Sequence, residues 1–142
     1  MILPDVNLLV YAYNADAPHH AAARAWWEKT LVSGEEVGIP WAVSLGFVRL
    51  MTHPRVLVRP LEPERAIQYV QSWFELPAVR ALEPGARHLE ILIHLLRPLG
   101  VAASLTTDAH LAAIAIEYRA ELCSNDADFA RFSGLVWRNP LG

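Results

Sequence analysis

Short apolar runs alternate with stretches of helical periodicity along the whole chain, and that alternation limits the fold more than any other feature. Residues 2–4, 36–39, 78–82, 121–124 and 135–137 read as strands. Helices are expected after Asn7 through Tyr13, from the Asp16–Pro18 break to about Leu31, over 41–52, over 62–74, from Pro84–Gly85 to Leu96 and over 108–119. Asp16 is expected to cap the second of these, with Pro18 in its first turn. The fourth places Ile67, Val70 and Phe74 on one apolar stripe. Thr106 and Thr107 are expected to cap the last, which is apolar nearly all round and so buried on most faces. A turn and short helix are read over 126–132. Strands separated by helices pair in parallel, with helices on both faces of the sheet. The expected fold is an α/β, three-layer α/β/α sandwich around a parallel sheet of about five strands. One domain spanning residues 1–142 is the expectation, with no repeat, linker or low-complexity segment.

In such a sheet the carboxyl edge is where ligands collect. Asp5 follows Ile2-Leu3-Pro4 directly and precedes Asn7 and the apolar run Leu8-Leu9-Val10, so an acid stands where the first strand hands over to a helix. Asp108 opens the buried helix, and Asp126 with Asp128 follows the fourth strand. Taken singly, Asp108 reads as a first-turn acid and Asp126 and Asp128 as turn residues. Asp5 is harder to place on free surface, since it lies between Leu3 and Val6. Together the acids occupy element ends that all face one edge. Hard divalent cations take oxygen ligands, and several clustered carboxylates repel one another unless a cation joins them. Asp5, Asp108 and Asp126, assisted by Asp128, are therefore the candidate ligands of Mg²⁺ or Mn²⁺.

Composition removes other chemistries. A single cysteine, Cys123, excludes an internal disulfide and a cysteine-based zinc site, and fits a reducing, cytoplasmic setting. No leader is apparent, and no apolar run approaches the roughly 18 residues of a membrane span. The formal charge of −3 argues against electrostatic coating of nucleic acid, although a bound cation can invert the local field of a nuclease. Lys29 is the only lysine, so the basic residues are almost all arginine.

Three segments carry a resemblance: Leu3-Pro4-Asp5-Val6-Asn7-Leu8-Leu9, Thr106-Thr107-Asp108-Ala109-His110-Leu111-Ala112-Ala113, and Asn125-Asp126-Ala127-Asp128-Phe129-Ala130-Arg131-Phe132. In this order the chain resembles the PIN-domain ribonucleases, and more narrowly the VapC toxins of bacterial toxin–antitoxin pairs. Leu45-Gly46-Phe47-Val48-Arg49-Leu50, Thr52-His53-Pro54-Arg55 and the tail Val136-Trp137-Arg138-Asn139-Pro140-Leu141 are similar to a subgroup common in mycobacteria and related actinobacteria. The resemblance implies a Mg²⁺- or Mn²⁺-dependent endoribonuclease acting on structured RNA such as tRNA or rRNA. It also implies a homodimer and a small VapB-like antitoxin partner. It assigns Asp5, Asp108 and Asp126 as metal ligands and catalytic acids, with Asp128 near enough to assist. The chain departs from the pattern once. Many members carry a glutamate on the helix after the second strand, whereas here Gly46 stands in that stretch and no acid lies between Glu36 and Glu62. One tightly held cation is expected.

Four further residues are candidate substrate contacts: Asn7 beside Asp5, Arg49 and Arg55 around the Pro54 turn, and His110 two residues after Asp108. Trp26, Trp27, Trp41 and Trp73 lie on amphipathic helices and read as core or interface aromatics. Two other functions fit the same acids. One is a PIN-like RNA- or protein-binding module that has lost catalysis, which the missing glutamate suggests. The other is a phosphotransfer enzyme with Asp5 as nucleophile, a reading weakened by Asn7 two residues on.

Overall fold

A computed structural model describes every residue from Met1 to Gly142. Five short strands form one wholly parallel sheet: β1 (Ile2–Pro4), β2 (Val37–Pro40), β3 (Val79–Leu82), β4 (Glu121–Cys123) and β5 (Trp137–Arg138), in the order β3-β2-β1-β4-β5. Six helices connect them: α1 (Val6–Tyr13), α2 (His20–Val32), α3 (Trp41–Met51), α4 (Pro63–Phe74), α5 (His88–Leu96) and α6 (Thr106–Tyr118). The order reverses direction at β1. With right-handed crossovers, α1 to α4 cover one face of the sheet and α5 with α6 the other. This is the three-layer sandwich expected, and it puts the switch point at the β1–β4 edge, where Asp5 and Asp126 emerge.

The central strands are buried on both sides, as parallel strands between two helical layers must be. In the first layer the core is aromatic. Phe47 and Trp73 meet edge-on at 4.8 Å and Trp27 and Trp73 at 5.7 Å, and Trp73 donates its indole N–H to the Tyr13 hydroxyl at 2.8 Å. In the second layer α6 buries Ala109, Leu111, Ala112, Ala113, Ile114 and Ala115, so alanines allow it to lie close on the sheet.

Several boundaries differ from the expectation, each for a local reason. Helix α2 begins at His20, not beside Asp16, because a turn intervenes: Ala17 N–H donates to Asn14 O and His20 N–H to Ala17 O. Asp16 is no cap and instead meets Arg59 at 3.5 Å. Residues 84–87 are not helical. Glu117 of α6 accepts the Gly85 and Arg87 N–H groups at 2.8 and 3.1 Å and holds that segment as a loop until His88. Thr106 does not cap α6, since its hydroxyl turns back to Ala103 O and a 3₁₀ turn, Ala103–Leu105, runs straight into the helix. The last strand shifts to Trp137–Arg138, set by Leu122 N–H to Val136 O and Ser124 N–H to Arg138 O. On α4 the buried stripe is Ala66, Val70 and Trp73, with Ile67 turned to solvent. Trp27 and Trp73 are core residues, whereas Trp41 is about half exposed.

Candidate metal centre at the sheet edge

Asp5 ends β1 and caps α1. Its backbone is extended, its N–H donates to Cys123 O of the neighbouring strand, and its Oδ1 accepts Val6 N–H at 2.8 Å. Its Oδ2 accepts the Ser124 hydroxyl at 2.7 Å. Ser124 is fully buried at the end of β4, and its hydroxyl is saturated. It gives its one proton to Asp5 and accepts N–H groups from Asn7 Nδ2 at 3.4 Å and from Asp126 at 3.0 Å. That network also orients the Asn7 amide. Because the serine proton is committed to Asp5, Nδ2 must face Ser124, and Oδ1 is left buried with no protein partner.

Asp126 caps the 3₁₀ turn Ala127–Arg131, accepting Asp128 N–H at 2.9 Å. Asp108 projects from the first turn of α6. One carboxylate oxygen from each of Asp108, Asp126 and Asp128 lies within 4.8 Å of the others, and all three residues are half-buried. Asp5, only 6% exposed, stands behind this trio. Its charge still reaches Asp108, whose carboxyl is raised to about 6, first by burial and then by Asp5, Asp126 and Asp128. Burial likewise raises the Asp5 carboxyl, against the two hydrogen bonds it accepts, with Asp126 adding to the rise.

The sequence candidates thus separate. Asp5, Asp108, Asp126, Asp128 and Asn7 come together at one edge. Arg49 and Arg55 are exposed and form no ion pair, so both guanidiniums are free, but neither enters the hydrogen-bonded network of the acids. His110 turns away. Two residues on a helix lie about 200° apart, and its Nδ1 bonds His88 Nε2 of α5 at 2.9 Å. Burial and His88 lower the pKa of its ring, and no carboxylate acts on it. Sequence reasoning missed Ser124, the hub of the site. The available signal was a serine at the inner end of a buried strand, two residues before Asp126. The nearest cation to the acids is Arg131, 3.5 Å from Asp128. The largest cavity, about 580 Å³, lies elsewhere, between α5, α6 and Ser133–Gly134.

The donor set suits a hard cation. Three carboxylate oxygens converge, a buried amide oxygen lacks a partner, and the mutual repulsion that raises Asp108 is what such an ion would relieve.

The PIN-domain family model matches residues 2–135. Over 141 residues the chain is 48% identical to ribonuclease VapC33 of Mycobacterium tuberculosis, covering 99% of both chains. The chain belongs to the PIN-domain VapC ribonucleases. It is also 41% identical to ribonuclease VapC37 of the same organism, covering 99% of this chain and 97% of that one. In three dimensions it superposes on a chain of VapBC2 from Rickettsia felis bound to promoter DNA, with a TM-score of 0.70 at 20% identity over 98% of each chain. VapC20 of M. tuberculosis, a toxin that cleaves the sarcin–ricin loop, gives 0.66 at 17% identity over 96% of this chain and 99% of that one. Those two likenesses bear on fold alone. The chain is thus an enzyme of the VapC ribonuclease type, and no helix is long and apolar enough to cross a membrane.

Proposed function

We propose that this VapC protein is the cytoplasmic toxin of a toxin–antitoxin pair, a Mg²⁺- or Mn²⁺-dependent endoribonuclease that hydrolyses phosphodiester bonds in structured RNA, tRNA or rRNA. The observation that carries the reading is the convergence of Asp108, Asp126 and Asp128 within 4.8 Å at the edge where Asp5 ends β1.

Asp108, Asp126 and Asp128 would hold the cation, with Asp5 completing the site from behind. The reading thereby shifts weight from Asp5 to Asp128 as a direct ligand, since Asp5 is nearly buried and stands outside the cluster of converging carboxylate oxygens. When bound, the cation supplies Lewis-acid charge and a water of lowered pKa. Ser124 keeps Asp5 and the Asp126 backbone in register. Asn7 Oδ1, an acceptor without a partner, orients a water proton. Arg49 and Arg55 are free to hold flanking phosphates. Attack of water at phosphorus with departure of the 3′ oxygen leaves a 5′-phosphate and a 3′-hydroxyl.

Relatives support the partners. Solved neighbours include VapBC2 and VapBC-1 complexes, so a small VapB-like antitoxin is the expected inhibitor; a homodimer is proposed on the family resemblance alone. The test is sequencing of 5′-phosphorylated RNA ends after brief expression, with Asp108→Ala as control. Discrete ends that vanish in the variant support the reading. Cleavage that persists in EDTA or in Asp108→Ala refutes it.

Gly46 keeps one alternative in view, a catalytically inert binding module, because no acid stands on α3. Such a module binds Mn²⁺ feebly and cuts nothing. The phosphotransfer reading loses support, since an Asp5 that is buried and hydrogen-bonded at both oxygens is poorly placed as a nucleophile.

A further inference from the structure

The tail Trp137-Arg138-Asn139-Pro140-Leu141 carries no acid, yet its polar contacts fall on the segment that carries two. Strand β5 is only Trp137–Arg138 and lies at the edge of the sheet. Its hydrogen-bonding groups converge on the residues by which the chain leaves β4. Ser124 N–H donates to Arg138 O at 3.1 Å. The Trp137 indole N–H donates to Ser124 O at 3.1 Å. Asn139 donates through Nδ2 to Asn125 Oδ1 at 3.1 Å. The tail thus holds both backbone groups of Ser124 and the side chain of Asn125, immediately before Asp126.

The tail is itself fixed. Asn139 Oδ1 accepts Leu141 N–H at 3.0 Å, a turn closed by the side chain. That bond also settles the amide: Oδ1 is committed to Leu141, so Nδ2 faces Asn125. Leu141 packs on the small cluster of Ile2, Leu8 and Cys123, which ties the tail to β1, α1 and β4. The Trp137 ring packs against the main core. Arg138 points the other way, as alternate strand residues do. Its guanidinium bonds Glu121 at 2.8 Å and reaches Cys123 at 3.8 Å, not the turn.

Metal ligands must be held closely, within roughly 0.5 Å of their working positions, by groups that do not touch the ion. Here the displacement would propagate. Asp126 N–H is tied to the Ser124 hydroxyl, and Asp128 N–H is tied to Asp126, so a shift of Ser124 moves both acids relative to Asp108. We propose that Trp137 and Asn139 are positioning residues of the metal centre, bracing the turn Ser124–Asp126 from outside the acidic cluster and so setting the cation affinity. This rests on the ribonuclease reading above.

The test is calorimetric titration of the full-length protein with Mn²⁺, alongside RNA cleavage followed across Mn²⁺ concentration. Trp137→Phe keeps an aromatic ring in the core and removes the indole N–H. Asn139→Ala removes the bond to Asn125. Each should weaken Mn²⁺ by about tenfold, the low end of the loss expected for a group that orients metal ligands. Excess Mn²⁺ should then restore cleavage toward the parent's rate. A merely structural role would lower the melting temperature in EDTA and leave Mn²⁺ affinity alone. Arg138→Gln, on the opposite face of the same strand, is the comparison and should leave Mn²⁺ affinity unchanged. Unchanged affinity in Trp137→Phe or in Asn139→Ala overturns the role of that residue, whatever the melts show. An equal loss in Arg138→Gln, or lost cleavage that excess Mn²⁺ does not restore, overturns the brace altogether. If the parent binds Mn²⁺ and cuts while the variants match it, only the brace falls. If the parent does neither, the ribonuclease reading falls and the brace with it.

Discussion

The two walls of the acidic centre are built on opposite principles. On the β1–β4 wall, Asp5 is buried and wired: each oxygen accepts a hydrogen bond, and a saturated serine behind it fixes its direction. On the facing wall, Asp108 receives no hydrogen bond from the protein, and burial and three neighbouring charges raise its carboxyl to about 6. Burial raises both carboxyls, but Asp108 has no hydrogen bonds of its own to offset the repulsion, so its wall gains most when a cation arrives. The lesson is that charge count alone does not describe a metal site. A wired acid supplies geometry and an unwired one supplies affinity.

The sharpest break of that contrast is to neutralise each wall in turn. Asp108→Asn should lower RNA cleavage by more than about 100-fold, beyond the loss usual for a residue that only supports ligands. It should also raise the melting temperature of the metal-free protein at neutral pH, because it removes a repelled charge. Asp5→Asn should abolish cleavage equally but lower the melting temperature. Thermal melts in EDTA read the sign directly, and a fall in both variants would erase the distinction between the walls.

Ser124→Ala attacks the wiring while leaving every carboxylate. Asp5 Oδ2 and the Asp126 N–H lose their partner together, and a buried unsatisfied group costs about 1–3 kcal/mol. Cleavage should fall about 10- to 100-fold, the usual effect of removing a group that orients metal ligands. Ser124→Thr, which keeps the hydroxyl, should recover part of it. Equal activity in Ser124→Ala and the parent would show that Asp5 needs no support.

Acid should act through the unwired wall first. In the metal-free fold Asp108 holds its proton more tightly than in the unfolded chain, so between about pH 4 and 6 the native state binds the extra proton. Metal-free stability therefore declines as pH rises through that window and is level above it. Cation binding runs the other way, because the ion must displace the proton. Mn²⁺ affinity, measured by calorimetry, should climb with pH, level off above about 6, and be weaker by about tenfold at pH 5. A flat profile from pH 5 to 7.5 would separate Asp108 from the cation.

These contrasts also mark what a sequence can disclose. The sheet was legible because buried parallel strands must be continuously apolar, and Asp5 was legible because an acid inside such a run needs a reason. Boundaries were misplaced where a distant side chain decides them: nothing near Pro84 announces that Glu117 will seize the Gly85 and Arg87 amides. His110 pairs with His88 away from the acids because nearness in sequence is not nearness on a helix, where two steps turn the side chain to the opposite face. Ser124 stayed hidden because a hydroxyl is equally at home in a turn. Only pairing β4 beside β1 gives it Asp5, Asn7 and Asp126 at once.

The smallest effect expected is the most informative about the family pattern. Gly46 lies inside α3, and a Cβ built on it would meet only Val6, at 3.4 Å, an ordinary contact on the residue that follows Asp5. The position therefore has room for a side chain beside the wired wall, where the family resemblance leads an acid to be expected. Replacing a mid-helix glycine should by itself stabilise the helix by about 0.5–1 kcal/mol. Gly46→Gln measures that gain without charge. Gly46→Glu adds a carboxylate, so in EDTA it should gain less than Gly46→Gln, and with Mn²⁺ present the order should reverse as affinity rises a few-fold over the parent, about 1 kcal/mol. The reversal, read from paired melts with and without the cation, is specific to a charge that faces the centre. If both variants gain equally under both conditions, position 46 faces solvent, and the single acid on the β1 wall is all this protein uses there.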